Sequence, residues 1–250
     1  MLDKATASKL RELKLSHMAK AFSTYFSDQS ADGLPFEERF SMLVDAECDA
    51  RRANRLKRYI REAGYACPGA VLEDVDYRPE RGLNKEQITR LATCHYLAEH
   101  HNIILVGATG SGKTYLACAF GMAANRQLIP TRYIRLPDLL GELAAARAMG
   151  TYKQTVRRYQ RMPLLILDEW LLYPLNNSDT AELMELIEHR HQHTSTIFCS
   201  QVDSCDWVPR LGSEVIVAEA ICDRFVHDAY RIVVHGDSMR KLNGIAAKEA

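Results

Sequence analysis

The octapeptide GATGSGKT at residues 107–114 follows the apolar run IILV at 103–106, and nothing else in the chain limits its fold so tightly. The spacing Gly107-x-x-x-x-Gly112-Lys113-Thr114 fits a loop that grips phosphate, provided a strand enters it and a helix leaves it. A buried strand does enter, and the apolar and small residues after Lys113 predict a helix to about Arg126. Residues Gly107, Ala108, Thr109, Gly110, Ser111 and Gly112 would turn backbone N–H groups inward around phosphates, helped by the positive end of that helix. Lys113 would reach the β- and γ-phosphates, and the Thr114 hydroxyl would ligate Mg²⁺.

A second apolar run, LLIL at 164–167, ends in Asp168-Glu169. Open α/β sheets bind ligands at the carboxyl ends of their strands. Asp168 is therefore placed to hold Mg²⁺. Glu169 beside it can orient and deprotonate a water, which marks hydrolysis rather than transfer to another substrate. Strand TIFCS (196–200) ends in Ser200-Gln201 at the same edge; the pair either senses the γ-phosphate and positions water or caps the next loop. Neither the loop nor the LLILDE strand contains an arginine for transition-state charge. Arg224, ahead of strand RIVV (231–234), reads from the sequence alone as a surface residue.

Strands are also predicted at TRYIRL (131–136), and helices over 86–99, 137–161 and 179–193. Short apolar strands alternating with helices predict a parallel sheet covered on both faces. Ahead of it, residues 6–66 read as helical. Phe36, Phe40, Leu43, Ala50, Ala53, Leu56, Ile60 and Ala63 fall at steps of three and four, with Glu47 breaking the stripe. Leu34-Pro35 and Gly64 bound that helix. The domain reading is a helical N-terminal domain over 1–66, a linker rich in turn formers over 67–85, and the sheet domain over 86–250.

The chain has 250 residues, with 32 basic residues against 32 acidic ones, so any polyanion partner must be met by local patches. Residues 51–61, RRANRLKRYIR, offer Arg51, Arg52, Arg55, Lys57, Arg58 and Arg61 with no acid among them. Arg51, Arg55, Arg58 and Arg61 cluster on one side of a helix, with Ala53, Leu56 and Ile60 roughly opposite. Residues 147–161 add Lys153, Arg157, Arg158 and Arg161 beside two tyrosines. Both patches suit a nucleic-acid backbone, the alternative being a solvated face. His189 and His193 stand one helical turn apart, but no further ligand completes a metal set. Dispersed cysteines without a Cys-x-x-Cys pair, no signal core and no membrane-length run predict a soluble cytoplasmic protein with reduced thiols.

These residues resemble the IstB-like ATP-binding proteins of bacterial insertion sequences, in the AAA+ group close to the DnaC and DnaI helicase loaders. The likeness runs through LRELKLSHMAKAF, LPFEERFSMLVDAECDARRANRLKRYIREAGY, LEDVDY, GATGSGKT, LLILDE, Trp207, AICDRFVHDAYRI and GDSMRK. It implies an AAA+ P-loop NTPase sheet with little or no helical lid, ATP and Mg²⁺ as cofactors, and ATP-driven homo-oligomerisation on double-stranded DNA. It also implies partnership with the transposase encoded by the same element and a bacterial cytoplasmic setting. By position, Lys113 and Thr114 bind ATP and Mg²⁺, and Asp168 and Glu169 are the metal-linked and catalytic acids. Gln201 falls at the polar sensor, Arg224 at an inter-subunit finger and Arg240 at a second phosphate-sensing arginine. The group often has Asp-Asp where Asp168-Glu169 stands, and many AAA+ proteins have Asn in place of Gln201. The expected function is an ATP-dependent transposition helper that captures target DNA and is recycled by hydrolysis. The alternatives are a replicative helicase loader and, from another class, a small-molecule kinase.

Overall fold

The computed structural model describes residues 2–27, 34–212, 215–236 and 238–239. The described chain forms two compact units, Met1–Arg58 and Tyr59–Ala250. The boundary falls inside the long helix, so its last turn and residues 67–85 group with the second unit. Ala70 and Arg81 are buried there, and Leu72, Val75 and Tyr77 pack on its core, which is why a stretch rich in turn formers belongs to a body.

The first unit contains α1 (Leu2–Glu12), α2 (Ser16–Ser27) and most of α3 (Phe36–Ala63). The stripe expected along α3 is not a buried one over its whole length: Phe36 and Phe40 are exposed, stacked on one another, and Ala53 is exposed too. Glu47, the residue that breaks the stripe, is buried, as is Ala63 at the helix's end. Its carboxylate accepts the N–H groups of His17 and Met18 at 2.9 and 3.0 Å and the Nε of Arg51 at 2.7 Å. Those two amides begin α2 and have no partner within their own helix, so a distant carboxylate caps them and meets the positive helix end. The Arg51 bond is the main reason the Glu47 carboxyl sits below its usual range.

The second unit is built on β1 (Asn102–Gly107), β2 (Thr131–Arg135), β3 (Leu164–Trp170), β4 (Ser195–Ser200) and β5 (Ala229–Val234). All neighbours pair in parallel, in the order β2-β3-β4-β1-β5. Helices α4 (Lys85–Ala92), α5 (His95–Ala98) and α6 (Lys113–Arg126) precede β2. The span expected as helix from 137 to 161 is α7 (Leu136–Ala148) and α8 (Tyr152–Gln160), divided at Gly150, whose φ is +70°. Then come α9 (Asn177–Arg190), started by the Asn176 side chain accepting from Asp179 N, and α10 (Val215–Val226), to which the sequence pattern assigns no element.

Alternation along the strands supplies two cores. Ile103, Leu105, Leu164, Ile166 and Ile197 face α6, while Ile104, Val106, Leu165, Leu167 and Phe198 face the layer of α7, α9 and α10. Burial on both faces explains why these strands read as continuous apolar runs. Strand order positions the chemistry. β4 lies between β1 and β3, so the ends of the loop-bearing strand and the acidic strand flank the Ser200-Gln201 turn.

Candidate active site

The loop turns out of β1 where close approach leaves no room for a side chain. A Cβ on Gly107 would stand 2.3 Å from the Val234 carbonyl oxygen, and Gly112 has φ +100°, a backbone region that favours glycine. Lys113 opens α6, is 7% exposed, and donates from Nζ to the carbonyls of Gly107 and Ala108 at 2.8 Å each. Its ammonium thus lies over the mouth of the loop.

Asp168 is buried at the end of β3 with each oxygen engaged. Oδ2 accepts the Thr114 hydroxyl at 2.7 Å and the Tyr133 phenol at 2.8 Å; Oδ1 accepts the Glu169 N–H at 2.8 Å. Burial, then the nearby Asp168 charge, pushes the Tyr133 phenol far above its ordinary pKa, so it stays a donor. Tyr133 carries no motif that marks it in the sequence, although alternation within TRYIRL places it on the α6 face of β2. A hydroxyl and a carboxylate joined by one hydrogen bond are oxygen donors of the kind Mg²⁺ takes, so the pair fits that ion.

Glu169 occupies a β-bulge. The register runs Leu167↔Phe198 and then Trp170↔Ser200, which leaves Asp168 and Glu169 together opposite Cys199. Glu169 has φ +54°, unusual for a residue with a side chain. In a regular strand Glu169 would follow Leu165 and Leu167 into the apolar layer. The extra residue sends Trp170 there instead, where Phe198, Trp207 and Phe225 surround it. Glu169 is thereby released, with its side chain 34% exposed and its carboxylate 3.7 Å from Arg135, which also grips Asp138 at 2.7 and 3.0 Å. Such local strain recurs at functional positions.

Gln201 reaches the same loop: its Oε1 accepts the Thr109 hydroxyl at 2.7 Å. Ser200 is buried and donates to Trp170 O instead, holding the bulge. Arg224 lies near the end of α10, bonded to Ala220 O at 3.0 Å and to Glu188 at 3.3 Å, so its contacts are with α9 and α10. Arg240 lies outside the described residues. Nothing local in the sequence marks an arginine as near the loop, yet Arg81 is buried against it, its Nη2 donating to Ser111 O at 2.6 Å.

The basic patches divide by partner. Arg51 is bound to Glu47 and, at 2.8 Å, to Lys14 O, so it builds the first unit. Arg52, Arg55, Lys57, Arg58 and Arg61 are exposed on α3. In the second patch Arg158 pairs with Glu142 and lies over the Tyr159 ring, which is itself buried, while Lys153, Arg157 and Arg161 are exposed. His189, His191 and His193 each meet a different backbone carbonyl, and no metal-holding group of His, Cys, Asp or Glu occurs among the described residues. No helix among them is long and apolar enough to cross a membrane.

A parallel sheet with a Gly-Lys-Thr loop after β1, an acidic pair ending β3 and β4 set between them defines a P-loop ATPase of the AAA+ class. The chain belongs to the IstB-like ATP-binding proteins, whose family model matches residues 8–247. It is 38% identical to the putative insertion sequence ATP-binding protein y4pL of Sinorhizobium fredii, over 96% of this chain and 98% of that protein. It is 36% identical to the putative ATP-binding protein of insertion sequence IS1162 from Pseudomonas fluorescens, over 82% and 88% of the two chains. Among solved structures, DnaI superposes with a TM-score of 0.58 at 23% identity, over 69% of this chain and 91% of that one. The DnaC helicase loader gives 0.56 at 19%, over 71% and 99%. Identities this low speak for the fold alone.

Proposed function

We propose that this chain is an ATP-dependent, DNA-binding helper of transposition. In this reading it assembles into homo-oligomers on double-stranded target DNA, cooperates with the transposase of its element, and is released by ATP hydrolysis. The observation that carries the chemical part is the hydrogen bond from Thr114 at the end of the loop to Asp168, with the bulge-released Glu169 next to it, in a chain whose relatives are insertion-sequence ATP-binding proteins.

Lys113 leaves the Gly107 and Ala108 carbonyls for the β- and γ-phosphates. Thr114 and Asp168 would hold Mg²⁺, which would neutralise charge on those phosphates. Glu169, standing clear of the apolar layer, takes the proton of the attacking water, and Gln201 orients that water from the adjoining strand end. Arg224 acts in a neighbouring subunit's site; its place on α10 among α9 contacts supports a role outside its own loop. Arg240 is kept as a second phosphate-sensing arginine on the family resemblance alone. Duplex backbone is held by Arg52, Arg55, Lys57, Arg58 and Arg61 on α3 and by Lys153, Arg157 and Arg161 around α8.

The test is a pair of variants. Lys113→Ala should lose ATP binding and with it stable DNA binding. Glu169→Gln should keep both while hydrolysis falls by about 10²–10⁴, the usual contribution of a general base. Unaltered hydrolysis in both variants would overturn the site.

A further inference from the structure

We propose that Arg81 is a positioning residue that braces the phosphate loop from its outer side and thereby sets nucleotide affinity; this deepens the ATP-site reading above and rests on it. A phosphate loop works only while its N–H groups point inward and its carbonyls outward. Glycines make that orientation easy to lose, because a peptide plane beside a glycine can turn over and point its oxygen at the phosphates. Each outward carbonyl therefore needs a donor behind it. Lys113 supplies two such bonds, to Gly107 O and Ala108 O, but it must give them up to reach a phosphate.

Two donors remain in place. Arg81 donates from Nη2 to Ser111 O at 2.6 Å, and the backbone N–H of Met239 donates to Gly110 O at 2.9 Å. The two arms are joined, since His235 N donates to Arg81 O at 3.1 Å. The guanidinium presses so closely on the loop that a Cβ on Gly112 would stand 2.9 Å from Nη2. A side chain held this way is not satisfying its own needs. Arg81 is 8% exposed, its Nε is buried without a partner, and the Asp76 carboxylate stands 3.9 Å away, engaged at 2.7–2.8 Å by Arg78.

The experiment titrates a fluorescent ATP analogue into the full chain and measures steady-state hydrolysis beside it. Arg81→Gln should weaken binding by about tenfold to a hundredfold, the range for losing a charged hydrogen bond. KM should rise with it, while kcat at saturating ATP stays within about twofold, because uniform binding is what is lost. Arg81→Lys, which keeps a charged donor, should recover part of the affinity, and Arg78→Gln on the same segment should leave it unchanged. If Arg81→Gln fails to fold, Met239→Pro removes the other arm's N–H and should raise KM in the same manner. A folded Arg81→Gln that binds normally, a fall in kcat at constant KM, or an equal loss in Arg78→Gln would each overturn the brace. Lys113→Ala separates the two levels. Lost binding there beside unaffected Arg81→Gln removes the brace alone; normal binding in both removes the ATP-site reading.

Discussion

Tyr133→Phe isolates the weakest-looking member of the acidic cluster and asks what it does. The phenol gives one hydrogen bond, at 2.8 Å, to Oδ2 of Asp168, which also accepts from Thr114; Oδ1 is held by the Glu169 N–H. A hydrogen bond to a charged group is worth about 1.5–3 kcal/mol, and about 1.4 kcal/mol is a factor of ten. Phenylalanine fills the same space, and the carboxylate keeps two donors, so little of that loss should appear as unfolding. It should appear in how firmly Asp168 is aimed at the metal, where loss of an orienting partner typically costs about tenfold to a hundredfold in affinity. The assay is ATP hydrolysis against Mg²⁺ concentration: the half-saturating concentration should rise by about tenfold, with the rate at saturating Mg²⁺ nearly unchanged. Binding of ATP analogue without metal should match the unaltered protein. An identical Mg²⁺ dependence, with or without a lower Tm, would show that Tyr133 only packs the sheet.

Arg190 is 2% exposed and donates to the carbonyls of Tyr159, Met162 and Ser195 and to the Thr196 hydroxyl, tying α8 and α9 to β4. Arg190→Ala strands those acceptors and should cost about 3–5 kcal/mol, a fall of roughly 10 °C in Tm, with Arg190→Lys intermediate; a fall under about 2 °C would refute it. Glu47 ties stability of the first unit to pH. Its folded pKa lies below the ordinary glutamate value of 4.5, so its contribution is complete above that value and is lost as pH falls through the folded one. Protection of the α2 amides, taken relative to the intrinsic exchange rate at each pH, should therefore fall on acidification, and Glu47→Gln should be less protected at neutral pH with a flatter acid dependence. Alanine at Arg52 and Arg55 should lower the slope of log DNA affinity against log salt by about 0.9 per lost phosphate contact. Arg158→Ala, whose charge is already matched by Glu142, should not, and equal slopes throughout would mark α3 as a merely solvated face.

The legibility of each element depends on range. Periodicity and turn residues act within a few positions, so β1, β3 and α6 emerge close to their expected bounds, and α3 ends at Ala63 just before Gly64. The helix α10 escapes such a reading: VIVAEAICDRFV is apolar on more than one side, and residues 213–214 ahead of it lie outside the described ones. Contacts across long separations leave no local mark. Glu47 looks like a fault in a stripe because its amide partners lie about thirty residues earlier. Arg81 sits in a stretch that reads as linker, and the link from Tyr133 to Asp168 spans two strands. Sequence alone puts Asp168-Glu169 at a strand end, with no sign that the second of them stands in a left-handed turn of the backbone.

The bulge at Asp168-Glu169 makes the end of β3 sensitive to counting rather than to chemistry. Replacing Glu169 alters one side chain and leaves every neighbour facing as before. Straightening the bulge with every residue kept would bury the Glu169 carboxylate in the apolar layer and turn Trp170 to the loop side, away from Phe198, Trp207 and Phe225, whereas deleting Glu169 would leave the indole where it is. Here parity is fixed from both directions, by an indole that must point inward and a carboxylate that must not.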